Sequence, residues 1–256
     1  MQFARRVIFI MIVVVAVLYA GLCGALFAFQ RSLIYYPQPR SSQHGVALMT
    51  LQVGTETALV STRPLAGPDA LIYFGGNAED VSRDMPDIAA AFPNKAIYLL
   101  HYPGYGGSSG NPSEKSIFAD SMALFDRVHA EHPNIVVVGR SLGTGVAVWI
   151  ASQRPIVRLV LVTPYDSLAD PAAQQYPYFP VRWLLRDKFE SWRYAPQVTA
   201  PTRILAAEND EVIPRSSTDR LRTRFREGIV SYVVLPDVGH NTIQDSPNYW
   251  TLLSTQ

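Results

Sequence analysis

The stretch Ile135-Val136-Val137-Val138-Gly139-Arg140-Ser141-Leu142-Gly143-Thr144-Gly145 constrains this chain more than any other. Four apolar β-branched residues read as a buried strand, and Val146-Ala147-Val148-Trp149-Ile150 downstream reads as a helix. Between them stands Gly-x-Ser-x-Gly. A serine on so tight a strand-to-helix turn sits in strained geometry with its hydroxyl exposed, and the flanking positions must be small for strand and helix to approach. Gly139 and Gly143 meet that need. The helix start presents a backbone N–H, that of Leu142, suited to a developing oxyanion. The competing interpretations are a phosphate-binding turn or a plain tight turn.

Similar apolar runs recur at 70–74, 96–100, 135–138, 157–162, 203–207 and 229–235. Their density in Val, Ile, Leu and Tyr is that of strands covered on both faces. Helical patterns fill the gaps at 80–91, 114–131, 142–153 and 216–226. This alternation predicts an α/β fold, a mostly parallel central sheet with helices on both faces. Residues 46–53 and 57–62 read as an antiparallel pair at the start of the sheet. The stretch 165–200 breaks the rhythm with Pro171, Pro177, Pro180, Pro196 and several aromatics. It reads as a short cap excursion holding one helical piece at 181–188.

A serine hydroxyl is a weak nucleophile until a base takes its proton. His240 follows the last strand in a glycine-containing loop and comes after Ser141, the order expected on such a sheet. His101 follows a strand but precedes Ser141. His44 lies too early, and His129 and His132 end a surface helix. The acid that orients the base is expected after the penultimate strand, where Glu208-Asn209-Asp210-Glu211 stands. Asp210 at the loop tip is preferred, with Glu208 at the strand end and Glu211 in solvent; Asp166 is the second candidate. A further oxyanion donor is expected from the loop after an earlier strand. In Gly75-Gly76-Asn77-Ala78 the amide of Asn77 or Ala78 would pair with that of Leu142. The glycine-rich run from Tyr102 to Gly110 lacks the Lys-Ser/Thr ending of a phosphate loop and reads as structural.

The net charge of +1 argues against a nucleic-acid partner. The one cysteine, Cys23, excludes an internal disulfide and a cysteine-rich zinc site. Charge is uneven along the chain: residues 1–55 carry four positive charges and no negative one, and the rest has 18 Lys and Arg against 21 Asp and Glu, a net of −3. Residues 7–29 are uncharged. As a helix this run would span about 34 Å, enough to cross a bilayer core. A cleaved signal, the competing reading, would have a shorter apolar region followed by a small-x-small site, and Leu18-Tyr19-Ala20 and Leu26-Phe27-Ala28 are poor ones. Arg5, Arg6 and the amino terminus outweigh Arg31, so the expected topology is amino terminus cytoplasmic and body on the outer side. Tyr35-Tyr36-Pro37 suits an interfacial belt or the start of the core.

Together these pieces resemble the α/β-hydrolase superfamily, and within it the membrane-anchored, single-span serine hydrolases related to eukaryotic palmitoyl-protein thioesterases. The resemblance runs through Gln30-Arg31-Ser32-Leu33-Ile34-Tyr35-Tyr36-Pro37, Gly76-Asn77-Ala78, Tyr102-Pro103-Gly104-Tyr105-Gly106, Gly139-Arg140-Ser141-Leu142-Gly143, Asp210 to Pro214 and Gly239-His240-Asn241. It implies a membrane anchor at 1–31 and one catalytic domain at 32–256, with a cap at about 165–200. It also implies a Ser141-Asp210-His240 triad acting on an acyl ester or thioester of small-molecule or lipid-like kind, with no metal or cofactor. A peptidase or amidase of the same fold, or a non-catalytic membrane scaffold, are the alternatives. Two departures stand out: Gly75-Gly76 where the family has His-Gly, and His101 where it tends to have an acid.

Overall fold

The computed structural model describes residues 2–41 and 46–255, so His44 lies outside the described residues. One sheet contains β1 (Ala47–Val53), β2 (Glu56–Arg63), β3 (Asp69–Phe74), β4 (Ala96–Leu100), β5 (Asn134–Arg140), β6 (Arg158–Val162), β7 (Thr202–Asn209) and β8 (Val230–Gly239). The α-helices are α1 (Gln2–Ile34), α2 (Met85–Ala91), α3 (Glu114–His129), α4 (Leu142–Gln153), α5 (Ala169–Gln175), α6 (Val181–Leu184), α7 (Ser191–Tyr194), α8 (Arg215–Arg222) and α9 (Tyr249–Ser254). The strands lie in the order β1-β2-β4-β3-β5-β6-β7-β8. β2 is antiparallel to both β1 and β4, and from β4 onward neighbours are parallel. β4 and β6 are buried at every residue, as the apolar runs 96–100 and 159–162 require, and Arg158 at the start of β6 donates to the Leu253 and Ser254 carbonyls. Each face of the sheet has its own apolar layer, one centred on α3 and α4 with Phe125 and Val146, the other on α2 and α9 with Ile88 and Leu253.

The elements differ from the sequence expectations where tertiary contacts compete for the backbone. The helix expected at 80–91 divides into a 3-10 turn (Val81–Asp84) and α2, because Pro86 supplies no N–H and restarts the helix in its first turn. The cap stretch holds three short helices, α5, α6 and α7, where one was expected. α6 stops at Leu184 instead of residue 188: the N–H of Arg186 donates to Gln30 Oε1 (2.7 Å) and that of Lys188 to Glu114 Oε2 (2.9 Å), not to helical carbonyls. Part of the stretch is core, since Tyr165, Phe189 and Val198 are fully buried. β8 continues through Pro236 to Gly239, which an edge strand tolerates because its free side needs no donor. His132 does not lie on a surface helix; it is buried between the Tyr98 hydroxyl (3.0 Å) and the Gly67 carbonyl (2.7 Å).

α1 is long and apolar enough to cross a membrane and is exposed along nearly all its length. Its last turn is the exception. Gln30 is buried against the cap, and the chain enters the core at Tyr35.

Candidate active site

Strand order reverses at β3, which has β4 on one side and β5 on the other. Ligands of open α/β sheets bind at the carboxyl ends of strands beside such a reversal. Phe74 pairs with Gly139, so the loop after β3 and the turn after β5 leave the sheet side by side. The glycines of that turn are dictated by contact. A Cβ on Gly143 would lie 2.0 Å from the Phe74 carbonyl oxygen, and one on Gly139 would lie 2.5 Å from the Gly143 carbonyl oxygen. Ser141 sits between them at φ 48°, ψ −116°, strained for a residue with a side chain. Its N–H is held by the Val162 carbonyl at 2.9 Å.

On the other side, Asn209 at the end of β7 pairs with Gly239 at the end of β8. The next residue on each strand is Asp210 and His240. His240 Nδ1 lies 3.0 Å from both Asp210 oxygens, and His240 Nε2 lies 2.8 Å from Ser141 Oγ. A carboxylate only accepts, so Nδ1 carries the proton and Nε2 is left to accept from the serine hydroxyl. Asp210 also accepts from the N–H groups of Val212 (3.0 Å) and Ile213 (2.7 Å), which fixes the carboxylate. Glu211 is exposed, as expected, and its Oε2 also accepts from the His240 N–H at 3.0 Å and braces the histidine backbone. Both carboxylates therefore serve the same loop.

The remaining candidates lie elsewhere. Asp166 faces Arg220 (3.6 Å) and Arg224 (3.9 Å) in a charged cluster with Asp170, while His240 Nδ1 is paired with Asp210. His101 is buried, its Nε2 2.8 Å from Ser61 Oγ, and burial pushes its pKa down to about 4. It is a neutral packing residue. Glu208, at the end of β7 as expected, accepts from the Asp237 N–H.

Leu142 opens α4, so its N–H has no intrahelical acceptor. Across from it, the loop at 75–78 is held by several clips. Glu79 Oε2 accepts from the Gly76 N–H (2.7 Å) and from Arg140 (2.9 Å), while Glu79 Oε1 accepts from the Tyr73 hydroxyl (2.7 Å). Arg140, the residue before the serine, is thereby tied to the opposite loop. Burial, then the Glu79 charge, pushes the neighbouring Asp84 carboxyl up to about 8. The second glycine-rich loop contributes two hydroxyls: Tyr102 donates to the Gly75 carbonyl (2.9 Å) and Tyr105 to Asn77 Oδ1 (2.8 Å). Asn77 Oδ1 also accepts from the Tyr36 N–H (3.1 Å), and its Nδ2 donates to the Ile34 carbonyl. Ala78 follows at φ 56°. The departure at Gly75 has a packing reason, because a Cβ there would lie 2.4 Å from Val81 Cγ1. Glu79, Arg140, Tyr102 and Tyr105 were missed as site residues. Only the closeness of Arg140 to Ser141 and of Glu79 to the glycine pair hinted at them.

Ser141 opens on a cavity of about 460 Å³, within the range of small-ligand sites. Ser141, Leu142 and Asn77 line it, and most of the remaining lining is apolar groups of α1 and the cap.

Residues 69–191 match the family model described as the alpha/beta hydrolase fold. The chain belongs to the α/β-hydrolase family. The uncharacterized protein Rv2307c of Mycobacterium tuberculosis is 34% identical to this hydrolase over 247 residues, which cover 90% of this chain and 87% of that one. A lysophosphatidylserine lipase, ABHD12 of Rattus norvegicus, is 28% identical over 186 residues, covering 64% of this chain and 46% of the lipase. The solved Pyrococcus furiosus esterase Pf2001 superposes with a TM-score of 0.70 at 16% identity, covering 84% of this chain and 94% of the esterase. This last likeness is one of fold.

Proposed function

We propose that this hydrolase is a membrane-anchored serine esterase or thioesterase in which Ser141, His240 and Asp210 form the triad. The observation that carries the reading is the continuous hydrogen-bond chain Asp210–His240–Ser141, whose serine lines a mostly apolar cavity. As Ser141 Oγ attacks the acyl carbonyl, His240 Nε2 takes the hydroxyl proton and Asp210 stabilises the imidazolium. The carbonyl oxygen becomes an oxyanion bound by the N–H of Leu142 and that of Asn77 or Ala78. Collapse expels the alcohol or thiol, which leaves with the proton held on Nε2. Water then attacks the acyl-enzyme by the same route, releasing the acid and restoring Ser141.

The similarity to a protein named a lysophosphatidylserine lipase supports ester over amide cleavage. A palmitoyl-thioesterase specificity rests on the motif resemblance. The apolar α1 supports retention in a membrane, and Arg5 and Arg6 at its start support a cytoplasmic amino terminus. A fluorophosphonate probe should label Ser141 in the wild type and leave Ser141→Ala unlabelled. A panel of esters, thioesters and peptides should show turnover of the first two; turnover of peptides alone would replace this reading by the peptidase one. Protease added from the cytosolic side should leave the body intact.

A further inference from the structure

We propose that α1 and the cap together form an acyl channel open to the outer leaflet, through which the hydrolase takes the tail of a membrane-resident ester or thioester directly from the bilayer. This rests on the serine-hydrolase reading above and names its substrate class. The decisive contact lies deep in the apolar run. The Tyr19 hydroxyl donates to the Tyr178 carbonyl at 2.8 Å, and the Tyr19 and Phe179 rings stack at 5.8 Å with their planes 5° apart. From Val7 to Tyr19 a helix rises about 18 Å, against a hydrocarbon core of about 30 Å. A span that begins at Val7 still has roughly 12 Å of hydrocarbon beyond the level where the cap touches it. The cap tip therefore sits within the leaflet.

Its chemistry agrees with that depth. Residues 176–181, Tyr-Pro-Tyr-Phe-Pro-Val, carry no charge. Tyr178 and Trp183 are 86% and 89% exposed on the cap, apolar area that contact with lipid would cover. Further along α1, Leu26 and Leu33 line the same cavity as Phe179 and Leu184 of the cap and as Ser141. Polar clips hold this seam closed above the channel. Gln30 donates to the Leu184 carbonyl (3.2 Å) and accepts from the Arg186 N–H (2.7 Å), and Arg31 grips the buried Asp187 at 2.8 and 3.2 Å. Loss of α1 would strip one wall from the cavity and remove Arg31, the countercharge of the buried Asp187. The helix is thus part of the substrate site as well as its tether.

The test uses the full chain in phosphatidylcholine vesicles. Lipids brominated in mid-chain quench indole fluorescence on contact, and Trp183→Phe should remove most of that quenching; unchanged quenching overturns the insertion. Leu33→Trp narrows the channel. It should lower the ratio of kcat/KM for a sixteen-carbon over a four-carbon acyl ester by about tenfold or more, since each methylene denied burial costs roughly fourfold. Leu26→Trp is the second narrowing variant, and fluorophosphonate labelling of Ser141 reports that each variant is folded. Unchanged ratios in labelled variants overturn the channel. Absence of labelling in the folded wild type would instead overturn the serine-hydrolase reading, while the quenching result still decides where the cap lies.

Discussion

At the carboxyl ends of β5, β7 and β8 the groups around Ser141 are fixed by strand pairing: Phe74 against Gly139, Asn209 against Gly239. Across the cavity, α1 meets the cap through one aromatic stack, the Gln30 amide and the Arg31–Asp187 pair, with exposed aromatics beside them. The first region tolerates no change of geometry, because a Cβ on Gly143 would overlap the β3 backbone. The second is a seam of side chains around an apolar space. Chemistry demands that a nucleophile, a base and an oxyanion site stay in register to within a fraction of an ångström. An acyl tail demands only burial, which is non-directional. Substitutions in the first region should therefore act on kcat, and those in the second on KM and chain-length preference.

The sharpest way to break that division is Ser141→Ala. It should lower kcat by about 10⁴–10⁶-fold and abolish the fluorophosphonate adduct in intact mass spectra. Asp210→Asn should cost about 10⁴-fold in kcat with KM little changed, since the imidazole loses its fixed tautomer; a loss seen in Asp166→Asn instead would move the acid to the other loop. Glu79→Gln leaves Arg140 buried without its countercharge and loosens the Gly76 loop. It should lower kcat by about 10–100-fold and the unfolding free energy by about 3 kcal/mol, read from steady-state kinetics and urea melts. Arg31→Met, at the half-exposed end of the seam, should raise KM for long-chain esters by about two- to fivefold with kcat unchanged. A fall in kcat there would show that the seam positions the loop at 75–78, which Asn77 ties to Ile34.

The smallest effect concerns Asp84. Burial pushes its carboxyl up to about 8 in the folded chain, against about 4 for an unfolded aspartate. Between those values the folded state holds a proton that the unfolded state has released. Its contribution to stability is full below about pH 4 and is lost as pH rises toward 8. Asp84→Asn should flatten this slope, so the Tm of the variant relative to wild type should gain a few degrees between pH 5 and 8.5.

Much of the sheet was legible because buried parallel strands leave an unbroken apolar signature, as in β4. Ser141 was legible because its turn needs two glycines at fixed offsets. What local pattern could not show is any group whose role depends on a distant partner. Glu211 looks like a solvated acid in the chain, yet it accepts from the His240 N–H across 29 positions. The end of α6 depends on Gln30, 156 residues away from Arg186. Pro236 looked like the end of a strand, and only the edge position of β8 lets the strand pass through it.

By itself the sequence determined the alternation of strands and helices, the tight serine turn and an apolar helix at the amino terminus. These follow from hydrophobic periodicity, from the size of glycine and from the length of an uncharged run. The tertiary structure alone decided which acid meets His240, which residues clip the loop beside Ser141, and that α1 walls the cavity it was expected only to tether. The physical reason is range: periodicity and turn sterics act within a few residues, whereas charge pairing and cavity walls join groups that only the completed sheet brings together.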